Sequence, residues 1–318
     1  AVFTTTWLTA LGVFVVATGL SSAILLLNGF IAARATPAGR RRQPSFRVIG
    51  RGTQGMPEII ELSLDKLPWR LIIAGVALLV GLFIGFAQMD NWDTFLKWFY
   101  AVPFGRTDPL FGKDLGFYVF SLPFYELIRD WALLVIFLSA AAAAAIYLLR
   151  GDIVYQQTGF PVLSAAVIRH LSALLALFFL VKAGGYILQR YDLLTSNNGI
   201  VFGAAYTDVH LRLPLLIALA AVSLIAAVGC VYNIWLAGIR LPIAAAVLVF
   251  AVSIVQTIVN VIEPDHGTVF DPACGSGGMF VQSSHFIEHE GGDTARKVKF
   301  YGQEKNRDTI RIAKMNLA

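Results

Sequence analysis

"LIIAGVALLVGLFIGFA", residues 71–87, carries no charge and is bracketed by Trp69 and Trp92. A helix needs about 20 apolar residues to cross the hydrocarbon of a bilayer, and tryptophan favours the interface on either side. With its flanks, 69–89, the run predicts a membrane span. Five more segments share its character, at roughly 7–32, 131–149, 168–188, 213–237 and 241–262. Composition agrees, with 57% hydrophobic and only 14% charged residues and a mean hydropathy of +0.69. A soluble domain carries roughly a quarter charged residues. The expected architecture is an all-α transmembrane helix bundle of about six spans, embedded in a lipid bilayer as a multi-pass cell-membrane protein.

Small residues in "SAAAAAA" (139–145) allow neighbouring helices to approach closely. Two cysteines, Cys230 and Cys274, give neither a disulfide framework nor a metal-ligand cluster. The chain begins at Ala1 with no methionine or signal-peptide pattern and stops at Ala318 within a helical pattern. Both ends read as cut.

The loops set orientation. Arg34, Arg40, Arg41, Arg42, Arg47, Arg51, Lys66 and Arg70 lie between the first two spans, against Glu58, Glu61 and Asp65. The next loop holds four basic and six acidic residues. Lys and Arg accumulate on the cytoplasmic side, so the first loop is expected inside and the second outside. "AGRRRQ" (38–43) could also be a nucleic-acid patch, but beside a span the topological reading is preferred. Alternation across six spans then puts the N-terminus, and everything after residue 262, outside the cell.

Within the spans, Lys182 is read as snorkelling to the interface, and His170 and His210 as interfacial. No acidic residue lies deep in a span, which leaves a proton-relay transporter without support.

"DPLFGKDLGFYVFSLPFYE" (108–126) is apolar and aromatic but broken by Gly and Pro, so it is expected along the interface. With "RYDLLTSNNG" (190–199) and "YTDVHLRLP" (206–214), it resembles a family of large bacterial membrane proteins known only as an uncharacterised protein family. The resemblance covers roughly residues 1–252. It implies a bundle of about seven helices followed by a large extracytoplasmic domain, with the first helix missing here. It implies no activity.

The tail has a different character. "GTVFDPACGSGG" (267–278) reads as strand, turn and helix, the helix running from about Gly278 to His289. "VKFYGQE" (298–304) is a second strand, and "NRDTIRIAKMNLA" (306–318) a second helix. This order begins a doubly wound sheet, an incomplete α/β Rossmann-like fragment whose ligand is expected at the strand carboxyl ends. Glycines permit close backbone approach, and Glu304, closing the second strand, suits ribose hydroxyls.

From about Ser253 to Ala318 the tail closely resembles the modification subunit of type I restriction–modification systems, adenine-N6 DNA methyltransferases that use S-adenosylmethionine. The resemblance implies that Asp271, Ser276, Gly277 and Gly278 line the methionine part of the cofactor and that Glu304 holds its ribose. DNA and the other restriction–modification subunits would be partners only of a complete enzyme. The family's Asn-Pro-Pro-aromatic motif, which holds the flipped adenine, has no counterpart, since no Pro-Pro pair occurs in the 318 residues. The aromatic lid segment and a target-recognition region are also missing. The domains expected are therefore 1–252, a multi-span membrane domain, and 253–318, a truncated methyltransferase fragment without catalytic residues.

A recombined gene or a mis-joined sequence near residues 250–256 would account for the break. "HFIEH" (285–289) fits an inverted zinc-protease pattern, but a solvated helix end is the preferred reading, because only Glu290 and Glu304 follow as candidate third ligands.

Overall fold

The computed structural model describes residues 2–35, 46–51, 57–62, 68–150, 153–155, 161–195, 209, 212–261, 267–271, 274–278, 280 and 298–316. Helices α1 (Val2–Arg34), α2 (Trp69–Met89), α4 (Leu122–Leu149), α5 (Ala165–Asp192) and α6 (Leu213–Leu236) are long, and short α3 (Trp92–Phe99) follows α2. These five long helices, α4 counted with the turn leading into it, have the length and apolarity to cross a membrane. The sixth expected span corresponds to α7 (Arg240–Val261), whose apolar part within the described residues is the shorter Arg240–Ile254. By its internal contacts the chain divides into Ala1–Asp192 with Leu213–Ser253, and Leu193–Arg212 with Ile254–Ala318.

In the first unit, small residues decide how α1 meets α2. A Cβ added at Gly85 would collide with the Thr18 hydroxyl and stand 2.9 Å from the Phe14 carbonyl oxygen. One added at Gly81 would collide with the Ser22 hydroxyl and stand 3.0 Å from the Thr18 carbonyl oxygen. Glycines one turn apart thus bring two antiparallel backbones together, the small-residue packing that lipid-embedded helices use when hydrophobic burial cannot drive association.

Hydrogen bonds then tie the helices crosswise. The Tyr147 hydroxyl on α4 lies 2.8 Å from His170 Nδ1 on α5, and His170 Nε2 lies 3.2 Å from Asn28 Oδ1 on α1. Asn28 Nδ2 already donates to the Ile24 carbonyl at 2.8 Å, so its Oδ1 accepts from Nε2–H, and Nδ1 accepts from Tyr147. His170, expected at an interface, instead joins three helices beside the buried cluster of Ala32, Ile73, Ala143, Tyr147, Val167 and Leu174. Of the alanine run, Ser139 and Ala143 are fully buried, one face of the helix.

On the other side of α5, buried Asn233 near the end of α6 donates from Nδ2 to Ser172 Oγ at 2.9 Å. Its Oδ1 accepts the Gly238 N–H at 3.2 Å, where the chain turns into α7 with Ala237 at φ 51°. Tyr186 of α5 meets Ser253 Oγ of α7 at 3.1 Å. Lys182 Nζ stands 4.8 Å over the Tyr186 ring. Arg129, which passes Gly185 at 2.8 Å from where a Cβ would stand, pairs with Glu126 at 3.2 Å and Asp130 at 2.9 Å.

The segment after α3 is organised by two carboxylates. Asp108, 6% exposed, accepts the N–H groups of Leu110, Phe111 and Lys113 at 2.9, 2.6 and 2.8 Å and the Tyr118 hydroxyl at 2.8 Å. Asp114 accepts those of Phe104, Gly105 and Gly116 at 2.9, 2.8 and 2.7 Å. From Phe117 onward this supposedly interfacial stretch is helical, a π-helical turn at Phe117–Ser121 leading into α4. Pro123 does not break the helix, because it occupies the first turn, where a missing N–H costs nothing.

Burial raises the Asp108 carboxyl's affinity for protons, but its four donors, Phe111 N–H foremost, outweigh that and hold it below the usual carboxylate range. The N–H groups of Phe104 and Gly116 do the same for Asp114. A depressed folded-state pKa contributes stability above the unfolded value of about 4 and loses it as pH falls through the folded value. Asp108→Ala is expected to cost about 3 kcal/mol, because four part-buried donors lose a charged acceptor together. Thermal unfolding in detergent, followed between neutral pH and pH 3, should show the wild-type advantage shrinking below about pH 4. An unchanged difference at low pH would refute the assignment.

Two antiparallel hairpins connect helices along the chain: β1 (Phe46–Arg51) with β2 (Pro57–Leu62) between α1 and α2, and β3 (Ile153–Tyr155) with β4 (Pro161–Leu163) between α4 and α5. In the second unit β5 (Gly267–Asp271) pairs in parallel with β6 (Val298–Gly302), from Gly267↔Val298 to Asp271↔Gly302. Helix α8 (Arg307–Asn316) follows.

Candidate functional site

The parallel pairing brings the carboxyl ends of β5 and β6 side by side. Gln303 N–H donates to the Asp271 carbonyl at 2.9 Å, and Cys274 N–H donates to the Gln303 carbonyl at 3.1 Å. The turn then closes on itself, Gly277 N–H to Cys274 carbonyl at 2.8 Å. Gly277 has φ 77°, a left-handed conformation that side chains resist. A Cβ there would also press on Ala313 of α8 at 3.2 Å.

Asp271 thus ends β5, Ser276, Gly277 and Gly278 form the adjoining turn, and Glu304 stands two residues beyond the end of β6. Ser276 and Gly278 are exposed, and Asp271 and Glu304 half-buried. The expected helix from Gly278 to His289 is described only at Gly278 and Phe280, and "HFIEH" lies outside the described residues. Among the described residues no group of His, Cys, Asp and Glu could hold a metal.

Glu304 has a second occupation. Its Oε1 accepts the Asn306 N–H at 3.0 Å, and that bond, with N–H groups of Lys305 and Gly275, holds its carboxyl below the usual range. Asn306 Oδ1 in turn accepts the Asp308 N–H at 3.0 Å and caps α8. The Glu304 carboxylate thus supports the start of α8.

Sequence reasoning did not single out the residues that hold this arrangement together. Phe280, 3% exposed, packs on Phe300 with ring centroids 5.1 Å apart. Gly302 admits Cys274, since a Cβ there would lie 2.6 Å from its sulfur. Asn316 Nδ2 reaches the Ser276 carbonyl at 3.0 Å. The alternation in "VKFYG" could have flagged Phe300, whereas nothing local marks Asn316.

The sequence pattern of the uncharacterised protein family UPF0182 matches residues 1–264. The chain belongs to this family. A UPF0182 protein of Cupriavidus necator is 41% identical over 254 residues, covering 80% of this chain and 27% of the relative. One from Bradyrhizobium diazoefficiens is 41% identical over 237 residues, 74% of this chain and 26% of the relative. The chain thus spans about a quarter of the length of these UPF0182 relatives. No solved structure matches.

A second pattern, N-6 DNA Methylase, matches residues 251–318. The two matches overlap at 251–264, in the second half of α7 and just beyond it. The UPF0182 match therefore runs through the whole of α7, while the β5–β6 pair and α8 lie in the methylase match alone.

Proposed function

We propose that residues 1–252 are a multi-pass membrane domain, and that residues 253–318 are a truncated Rossmann-like fragment of an S-adenosylmethionine-dependent methyltransferase, without catalytic competence. The observation that carries the first part is the set of five apolar helices of membrane-crossing length, tied by hydrogen bonds between polar side chains and by the glycine packing of α2 on α1. The second part rests on the methylase match and on a glycine turn set between two parallel strand ends.

The residues present fit the cofactor in part. Asp271, the turn at Ser276–Gly278 and Glu304 lie at the adjoining carboxyl ends of β5 and β6, and Gly277 holds a left-handed backbone that side chains resist, which supports this reading. The cofactor would supply an electrophilic methyl group. This chain's share is to cradle the methionine end on the turn and to offer Glu304 to the ribose, although Glu304 already accepts the Asn306 N–H. No residue is assigned to hold an adenine.

In the bilayer, the basic first loop is inside by the positive-inside rule. The helices then alternate, and a spanning α7 carries Glu263–Ala318 to the outer side. A second reading, a DNA adenine-N6 methyltransferase fragment joined to an incidental membrane portion, is favoured only by the methylase match.

Expressed in bacteria, the chain is expected to stay in the membrane pellet after alkaline carbonate washing and to need detergent for release. Recovery as a soluble, non-aggregated protein would overturn the membrane assignment.

A further inference from the structure

A cavity of about 320 Å³ lies at the end of the bundle where α1, α3 and α4 meet. Gly12, Val13 and Val16 of α1 form one wall, Leu127 and Trp131 of α4 another, and Phe95 of α3 closes it. Among the described residues that line it none is ionisable, and the polar ones, Thr9 and Gln88, have partners: Thr9 Oγ1 donates to the Thr5 carbonyl at 2.8 Å and Gln88 Oε1 accepts from Asn91 Nδ2 at 3.1 Å. The indole N–H of Trp131 is committed to Ser21 Oγ at 3.0 Å, so it offers no donor to a guest. Water enters a cavity where two or more polar partners await it, and here the wall is almost wholly apolar carbon. Open space of this size in a helix bundle forfeits the dispersion contacts of every side chain around it.

The surroundings say what fills it. Val16 and Leu20 are 56% and 51% exposed, and Ile128 of α4 is 43% exposed. All three line the cavity, which therefore opens sideways onto the apolar outer surface of the helices rather than towards water. A Cβ on Gly12 would meet nothing within 4 Å, so a bare stretch of backbone forms part of the floor. A flexible, uncharged, chain-like guest arriving from the hydrocarbon fits these walls, whereas a polar metabolite would meet almost wholly apolar ones. We propose that this cavity is a lipid site that takes one acyl chain of a glycerophospholipid. The proposal rests on the membrane reading above.

The test reconstitutes the full chain into vesicles of phosphatidylethanolamine and phosphatidylglycerol containing a phosphatidylcholine with a photoactivatable diazirine near the end of one acyl chain. After irradiation, adducts are mapped by mass spectrometry. Adducts should concentrate several-fold on Gly12–Leu20 and Leu127–Trp131 relative to Leu78, Leu79 and Phe83, lipid-side residues of α2 that are 53%, 59% and 75% exposed. Gly12→Phe, which fills the cavity, should lower labelling at Leu127–Trp131 while leaving α2 labelling unchanged. Val16→Trp, which fills it from another position, should do the same. Even labelling over all exposed helix residues, or labelling that neither variant lowers, would overturn the site. So would a dimer whose cross-links, formed without lipid, seat a second copy in the cavity. Absence of adducts from every helix would refute the membrane reading as well.

Discussion

Purified chain supplied with S-adenosylmethionine bearing a labelled methyl group and with unmethylated duplex DNA is expected to transfer no label to adenine. An enzyme acting on a base in DNA must take it out of the stack and hold its Watson–Crick edge against the reactive centre. On the reading proposed above, the two parallel strands and the glycine turn would at most present a methyl donor. With no Pro-Pro pair in the chain, the segment that would grip the flipped adenine has no counterpart. Methyl groups on adenine above the level of a heat-denatured control would sink this expectation and favour the methyltransferase reading. A Glu304→Ala variant serves as a check, because genuine transfer through this cradle should fall with it.

The largest expected effect on stability comes from Gly85→Leu. The added side chain would have to occupy space held by the Thr18 hydroxyl and the Phe14 backbone, and a backbone cannot move aside as a flexible side chain can. Overpacking a tight contact costs about 1–3 kcal/mol and occasionally more, and here α1 and α2 must separate to relieve it. Thermal unfolding in detergent should show a loss of about 3 kcal/mol, with aggregation on size exclusion. Gly75→Leu on the same helix, where a Cβ meets nothing within 4 Å, should be nearly silent. Equal behaviour of the two variants would show that the α1–α2 contact is not the one described.

That contrast also shows how far the sequence was legible. The uncharged run at 71–87 gave α2 its bounds, Trp69–Met89, because apolarity and length alone decide a span. Which of its glycines face α1 was not readable, since Gly75, Gly81 and Gly85 look alike until a partner helix is in place. Helix α4 begins at Leu122, well before the expected 131, because Glu126, Arg129 and Asp130 looked like a loop. Their charges are tolerated at a helix start where Arg129 pairs with both carboxylates. His170 looked interfacial for want of its partners, Asn28 and Tyr147, which are distant in sequence. Asp108 was one acidic residue among several until its four donors closed around it. In the tail, the strand at 267–271 matched β5, since a short apolar run ending at a Gly-rich turn is a local signal. The contacts of Phe280 and Asn316 depend on the folded chain and left no such mark.

The central claim is that alternating spans carry the methylase-like tail away from the cytoplasm, and its most exposed step is α7. "LPIAAAVLVFAVSIVQTIVNVI" (241–262) is uncharged, and the UPF0182 match continues through it to residue 264. Gln256 and Asn260 lie in its last third, near the interface, where polar side chains cost less than at a helix centre. Alkaline phosphatase, active only outside the cytoplasm, and a fluorescent protein that folds only inside it can each be fused after Ala318. The account predicts an active phosphatase fusion and a dark fluorescent one. A silent phosphatase beside a bright fluorescent fusion would put the tail inside, with access to both cofactor and chromosome, and would contradict it.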